Sequence, residues 1–400
     1  MRLWTASLLL AASAVLAPLG AQAEAPAAKS WQAVGPVVDD SDLARSPALA
    51  IGRKQVPAVA YVRTTTQSDG RQVANVFVKQ FDGSAWQPLG SGALNIKPRM
   101  AAELPRIVAD RQGRLVVAWY ESQTLEGGRY AVHVKRWTGL AWESLGAPLN
   151  TDIRRSALSP SLALGPGGEP VVALAEASDS GLAVRVRRWD GLQWQLVGGP
   201  ADIGLGADTQ VGVDAAGRIT VAFRREVQFG LFQVLAARWD GAQWLPLGGT
   251  PNRDPARPSA SASLGVAGDG TVWLAWQEQV DSANKVYASR WDDTTASWVP
   301  LGNALDGGVA TRSTVIPRLA LQQDGLPAVA WTEAQTFQTH VQRWNGRAWR
   351  AVGDNPVISA EQRGYDLQVD GKGRPVLAHG ESRALFDGDV RVKRFGAATP

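Results

Sequence analysis

The chain has 400 residues, 45% hydrophobic and 20% charged, with a formal net charge of +4. This is globular composition, neither disordered nor fibrous. With no cysteine there is no disulfide, lipoprotein anchor or thiol chemistry, and Lys and Arg are scattered without the basic stripe that nucleic acid requires.

The chain opens on a secretory pattern. Arg2 supplies a positive start, residues 8–16 a short apolar run, and Ala21-Gln22-Ala23 a small-x-small cleavage site. The run is too short to span a bilayer, and no later segment reaches 18 apolar residues. Residues 1–23 are therefore read as a signal peptide, residues 24–30 as a flexible tether and residues 31–400 as one domain. A secreted or periplasmic location is expected, without membrane insertion.

From residue 31 onward one motif recurs, Trp-x-x-[Leu/Val]-Gly. It starts at Trp31, Trp86, Trp142, Trp194, Trp244, Trp298 and Trp349, 50 to 56 residues apart. An aromatic residue and a turn precede each copy but the first, as in Trp189-Asp190-Gly191 and Trp344-Asn345-Gly346. Asp-Gly and Asn-Gly between apolar runs are hairpin signals, because these residues tolerate positive φ. A second hairpin lies upstream, clearest in residues 160–174. Its copies start at Pro47, Pro105, Pro160, Thr209, Ala262, Pro317 and Tyr365, and each carries an alanine thirteen residues later, from Ala60 to Ala378.

Each unit therefore has four short strands, A to D, with tight A–B and C–D turns and longer, variable B–C and D–A connections. Repeats of this kind and length are propeller blades. The phase fixes the closure. The chain enters on a D strand at Trp31 and leaves on a C strand at Val390 to Phe395, so the two ends complete one blade. The expected fold is an all-β, seven-bladed β-propeller of four-stranded antiparallel blades, the last closed by the N-terminal strand. Strand A should lie nearest the axis, where Ala50, Ala163, Gly212, Gly265 and Ala320 suit crowding. The tryptophans should fill the wider outer gaps between blades.

Two polar series follow the repeat. Arg63, Glu121, Glu176, Arg225, Glu278, Glu333 and Glu381 stand three residues after the strand B alanine. They are candidate ligand-binding residues, forming a ring around the channel mouth. The same residues can instead cap backbone donors where strand B enters its loop. Asp39, Asn95, Asn150, Asp202, Asn252 and Asp306 follow strand D, with Val357 departing, and suit side chains that turn the chain into the next blade. His379, Tyr365, Asp366 and the polar segment 361–366 break the pattern. Only three histidines are present, and no motif for a nucleophile, metal or phosphate appears, so neither cofactor nor catalytic residue is assigned.

The repeated units resemble the secreted bacterial propellers of the sialidase-like, kelch-like and lectin-like groups, and their Trp-Asp pairs at 189, 239 and 291 look like the WD signature without its partnering Gly-His. The resemblance covers nearly the whole mature chain at the level of architecture. The Ser-x-Asp-x-Gly-x-Thr-Trp box of sialidases is absent, and five tyrosines are too few for the Gly-Gly pair and spaced Tyr that kelch repeats carry in each blade, so no family residue is carried over. The expected function is a non-enzymatic binding or scaffold protein, a monomer, that recognises a glycan or protein through its loop-rich face. A hydrolase or lyase acting on extracellular carbohydrate is the alternative.

Overall fold

The computed structural model describes residues 29–397, apart from residues 42, 53–54, 200–202, 307–312, 355–361 and 385–386. The segments read as signal peptide and, for the most part, tether, together with Asp202, Val357 and Glu361, fall outside the described residues. The described strands form seven four-stranded antiparallel sheets, each in the order A-B-C-D. Blade 1 is typical, with strands Ala44–Ile51, Pro57–Thr66, Gln72–Phe81 and Trp86–Pro88.

Blade 7 joins the two ends of the chain. Gln362–Val369, Pro375–Ala384 and Asp387–Ala397 supply strands A to C, and Lys29–Ala33 supplies D. Trp31 pairs with Phe395, as Trp194 pairs with Trp189 in blade 3. The closing strand begins earlier than the sequence suggested. Lys29 and Ser30 already pair with Ala397 and Gly396, so the tether gives way to strand two residues sooner.

The core lies between blades. Val62 and Val76 of blade 1 pack with Val117 and Trp119 of blade 2, and Val376 and Ala378 of blade 7 pack with Leu49 and Tyr61 of blade 1. The strand B alanines are all fully buried. Near the axis a Cβ on Gly212 would stand 2.5 Å from Val266 Cγ2, and one on Gly265 2.5 Å from Leu319 Cδ2. Only glycine fits where neighbouring inner strands approach this closely.

The recurrent tryptophan motif is an inter-blade clasp. Each strand D indole donates its Nε1–H to the Leu or Val carbonyl of the same motif one blade earlier. Trp86 bonds Val34, Trp142 bonds Leu89, Trp194 bonds Leu145 and Trp244 bonds Val197. Trp298 bonds Leu247, Trp349 bonds Leu301 and Trp31 bonds Val352, at distances of 2.6 to 3.1 Å across the set. The ring of seven is complete. The closing glycine has positive φ in every copy, from Gly35 to Gly353.

Candidate functional site

Five of the seven sequence-predicted residues contact the connections between blades, and Glu333 and Glu381 contact residues of their own blades. Glu121 is almost fully buried, and its carboxylate accepts the N–H groups of Ile96 and Lys97, both at 2.8 Å. Glu176 accepts those of Thr151 and Asp152 at 2.5 and 3.1 Å. Glu278 accepts those of Arg253 and Asp254 at 2.9 and 3.1 Å. These donors belong to the D–A connection arriving from the preceding blade. Arg225 does the same work with opposite polarity, donating to the carbonyls of Ile203 and, at 2.8 Å, Leu205. Arg63 lies 3.3 Å from Asp39 and over the Phe77 ring. Glu333 accepts the Thr336 hydroxyl at 3.0 Å, and Glu381 pairs with Arg391 at 3.2 Å.

None of the seven is among the residues lining the axial cavity. Strand B is one strand removed from the axis, and the side chains of Arg63, Glu121, Glu176, Arg225 and Glu278 turn toward the D–A connection. Asn95 and Asn150 brace the same connections. Asn95 bonds the N–H of Val76 at 3.0 Å and the carbonyl of Met100 at 2.7 Å, and Asn150 bonds Val132 and Arg155 likewise. Asn252 reaches the Arg257 carbonyl at 2.7 Å. Asp306 accepts Lys285 at 2.6 Å, and Asp39 accepts the Tyr61 hydroxyl at 2.7 Å.

The cavity that remains is built by strand A of all seven blades and measures about 230 Å³. Each inner strand carries one residue with positive φ: Ser46, Leu104, Ser159, Asp208, Ser261, Ile316 and Gly364. The strand A–B register breaks just after it, as between Glu103 and Arg106. Four of the next residues are proline. The innermost strand has no neighbour on its axial side, so the missing donor costs no ladder bond. Two residues after each bulge stand Ala48, Arg106, Ser161, Gln210, Ser263, Arg318 and Asp366, and all seven line the cavity.

Three of these side chains accept a backbone N–H from the next blade. Ser161 Oγ accepts the Val211 N–H at 2.9 Å, Ser263 Oγ accepts that of Leu319 at 2.8 Å, and Asp366 Oδ2 accepts that of Leu49 at 2.8 Å. The charged members, Arg318, Asp366 and Arg106 in blades 6, 7 and 2, form one arc interrupted only by Ala48 of blade 1. Arg318 donates to the carbonyls of Tyr365 and Pro317 at 3.3 and 3.1 Å, and Arg106 to that of Pro105 at 3.3 Å. Among the described residues, neither guanidinium lies within ion-pair distance of a carboxylate. Burial pushes the Asp366 carboxyl above its usual range, while backbone N–H groups and the two arginines pull it back. Burial, with repulsion from Arg318, lowers Arg106 to about 10, so it stays cationic at neutral pH. Burial pushes the Tyr365 phenol up to about 12.

Of the pattern-breaking residues, Tyr365 and Asp366 therefore line the cavity, whereas His379 does not. Its ring is fully buried in blade 7, 3.4 Å from Glu381, with no hydrogen bond to either nitrogen. His133 and His340 pack on Trp119 and Trp331. Sequence reasoning missed Arg106 and Arg318. The signal lay in the residue just after each repeat start, which is polar in six of seven copies and charged in three.

No family model matches this chain, and no curated protein does. Solved structures match it in fold. A Dyadobacter fermentans protein of unknown function aligns at TM-score 0.52 and 12% identity, over 92% of this chain and 99% of that one. An ulvan lyase, described as a new family of polysaccharide lyase, aligns at TM-score 0.56 and 10% identity over 90% and 95%. The β-propeller domain of a trilobed protease from Pyrococcus furiosus aligns at TM-score 0.53 and 12% identity over 90% and 100%. That domain is described as having an open velcro topology, whereas here the N-terminal strand closes the last sheet. Other distant neighbours include a sialidase and an endo-arabinase, at TM-scores of 0.49 and 0.39. At such identities the likeness is one of fold alone.

Proposed function

We propose that this protein is a non-enzymatic, secreted or periplasmic binding propeller that recognises a glycan or protein through its loop-rich face. The observation that carries the reading is the asymmetry of the axial cavity. Its scaffold repeats seven times, yet charge stands in one arc only, and a site for one ligand needs such a break in symmetry. The rim on the loop-rich face adds two ion pairs, Arg45 with Glu103 and Asp208 with Arg224.

The chemistry of the cavity favours holding over cutting. Glycosidases generally place two carboxyl groups about 5–10 Å apart across the scissile bond. Asp366 is the sole carboxylate among the described lining residues. Three of the five repeated glutamates, Glu121, Glu176 and Glu278, are engaged by backbone N–H groups. A second reading, a carbohydrate-active hydrolase or lyase, draws on the Asp366 carboxyl, which burial holds up and so readies to donate a proton. The ulvan lyase among the fold neighbours is in keeping with it.

A glycan array run alongside hydrolysis and elimination assays on the purified mature protein separates the two. Saturable binding without turnover is expected. Turnover that disappears in Asp366→Asn would replace the binding reading with the enzymatic one.

A further inference from the structure

We infer that Arg106 and Arg318 together grip the carboxylate of a single sugar-acid unit, a hexuronate, inside the axial cavity. This rests on the binding reading above and names the ligand class for the same face.

Four observations lead there. The first is charge. Two guanidinium groups and one carboxylate line the cavity, which leaves one positive charge when all are ionised. Arg318 and Arg106 repel each other across it. A single carboxylate brings the sum to zero, whereas a dianion overshoots. Charge that is partly buried calls for a partner, and among the described residues the protein supplies none at ion-pair distance.

The second is geometry. Guanidinium presents a planar fork that matches a carboxylate through two parallel N–H bonds. Arg106 uses its fork only for a 3.3 Å bond to the carbonyl before it. Between Arg106 and Asp366 on the ring stands Ala48, whose methyl leaves open the space that a longer side chain fills in the other blades.

The third is the inner strand edge. Leu49 N–H is taken by Asp366 of the preceding blade. The equivalent Ile107 has only Ala48 at the corresponding place, and Ile107 lines the same cavity. Its N–H is a further donor beside Arg106.

The fourth is the rest of the wall. Ser161, Gln210, Ser263 and Gln368 are neutral hydrogen-bonding groups. Each serine oxygen already accepts an N–H and keeps its own proton to donate. Such a wall suits hydroxyls. A volume of about 230 Å³ falls below the roughly 300–1,000 Å³ of drug-sized pockets, which suits a single sugar ring inside the cavity.

The test is calorimetric titration of the purified mature protein with glucuronate and galacturonate, then with glucose and with sodium sulfate. The expected result is one uronate per chain, no detectable glucose binding, and weak or absent competition by sulfate. Arg106→Gln and Arg318→Gln should each weaken uronate binding about tenfold or more, the loss of roughly one charge-assisted bond. Arg106→Lys keeps the charge and loses the fork, so it should fall between the parent and Arg106→Gln. Melting curves without ligand establish that each variant folds, and a variant that fails is replaced by its lysine counterpart. Glucose binding as tightly as uronate, or undiminished binding in both glutamine variants, overturns the proposal. Sulfate competing on equal terms overturns the carboxylate assignment. Glycans captured on the array without any uronate binding sink this inference and leave the wider binding reading standing.

Discussion

His379 occupies the place that Tyr61, Trp119, Phe223, Trp276 and Trp331 hold in other blades. Its ring is fully buried and neither nitrogen is hydrogen-bonded. Burial, reinforced by Lys393 and Arg391, lowers its pKa to about 3. An unfolded histidine titrates near 6.5. The folded value is the lower one, so the unfolded chain binds the extra proton first. Stability is then full above about pH 6.5 and falls as the pH drops toward the folded value. His379→Phe should therefore raise stability by about 1 kcal/mol at neutral pH, by removing buried polar atoms that lack partners. It should also flatten the acid limb. Melting temperatures near pH 7.5 and about pH 4.5 check this, and an unchanged gap between the two would refute it. That His379 broke the repeat was legible in the sequence. That it sits off the axis was not. The reverse holds for Arg106 and Arg318, which look like ordinary strand residues beside Pro105 and Pro317. What turns them to the axis is a left-handed bulge, and bulges of this kind are foreseen from Gly or Asn. Here the residues are Leu104 and Ile316, and glycine appears only at Gly364. Strain of this kind persists where the surrounding ladder dictates the conformation, and local sequence carries no mark of it.

At the scale of the element, the Trp-x-x-[Leu/Val]-Gly motif was visible at once, and its spacing marked every blade. Its work was hidden, because the indole and its acceptor lie about fifty residues apart, as in Trp194 and Leu145. The glutamate series has the same character. Its regularity was plain, but its N–H donors come from a connection some 25 residues upstream. The glycine of the motif offers a clean test. Gly146 has φ +69°, and a Cβ there would stand 3.0 Å from Trp189 of the next blade. Gly70 has φ +79° with nothing within 4 Å of the same position. Both Gly→Ala changes carry the left-handed penalty of roughly 1–2 kcal/mol, and only Gly146→Ala also pushes a blade-to-blade contact. Chemical denaturation should show Gly146→Ala losing more than Gly70→Ala by about 1 kcal/mol or more. Equal losses would mean that the clasp yields without cost.

At the scale of the whole molecule, the placement of the core governs how the ring fails. Because the apolar clusters bridge adjacent blades, no blade buries its own faces, and opening one junction exposes the two sheets beside it. The strand Lys29–Ala33 guards one junction twice over. It pairs with the last strand of blade 7, and Trp31 donates to Val352 of blade 6 at 2.9 Å. Deleting residues 29–35 should strip the outer edge of blade 7, remove Val34 from its cluster with Trp86, and lower the melting temperature sharply. A free strand edge also invites aggregation. Deletion alone does not separate the loss of a strand from the loss of ring closure, but a circular permutant does. Lys29 and Ala397 are paired neighbours, so a short linker between them recreates an ordinary C–D hairpin. The chain can then be cut at another C–D turn, between Gly241 and Ala242, where a Cβ on Gly241 would meet nothing within 4 Å. That permutant keeps every strand and moves the closure from blade 7 to blade 4. If closure by paired strands is what stabilises the ring, it should melt cooperatively within a few degrees of the parent, while the deletion melts far below both. A permutant as unstable as the deletion would show that blade 7 holds the ring through something particular to its own residues, and not through the topology shared by all seven blades.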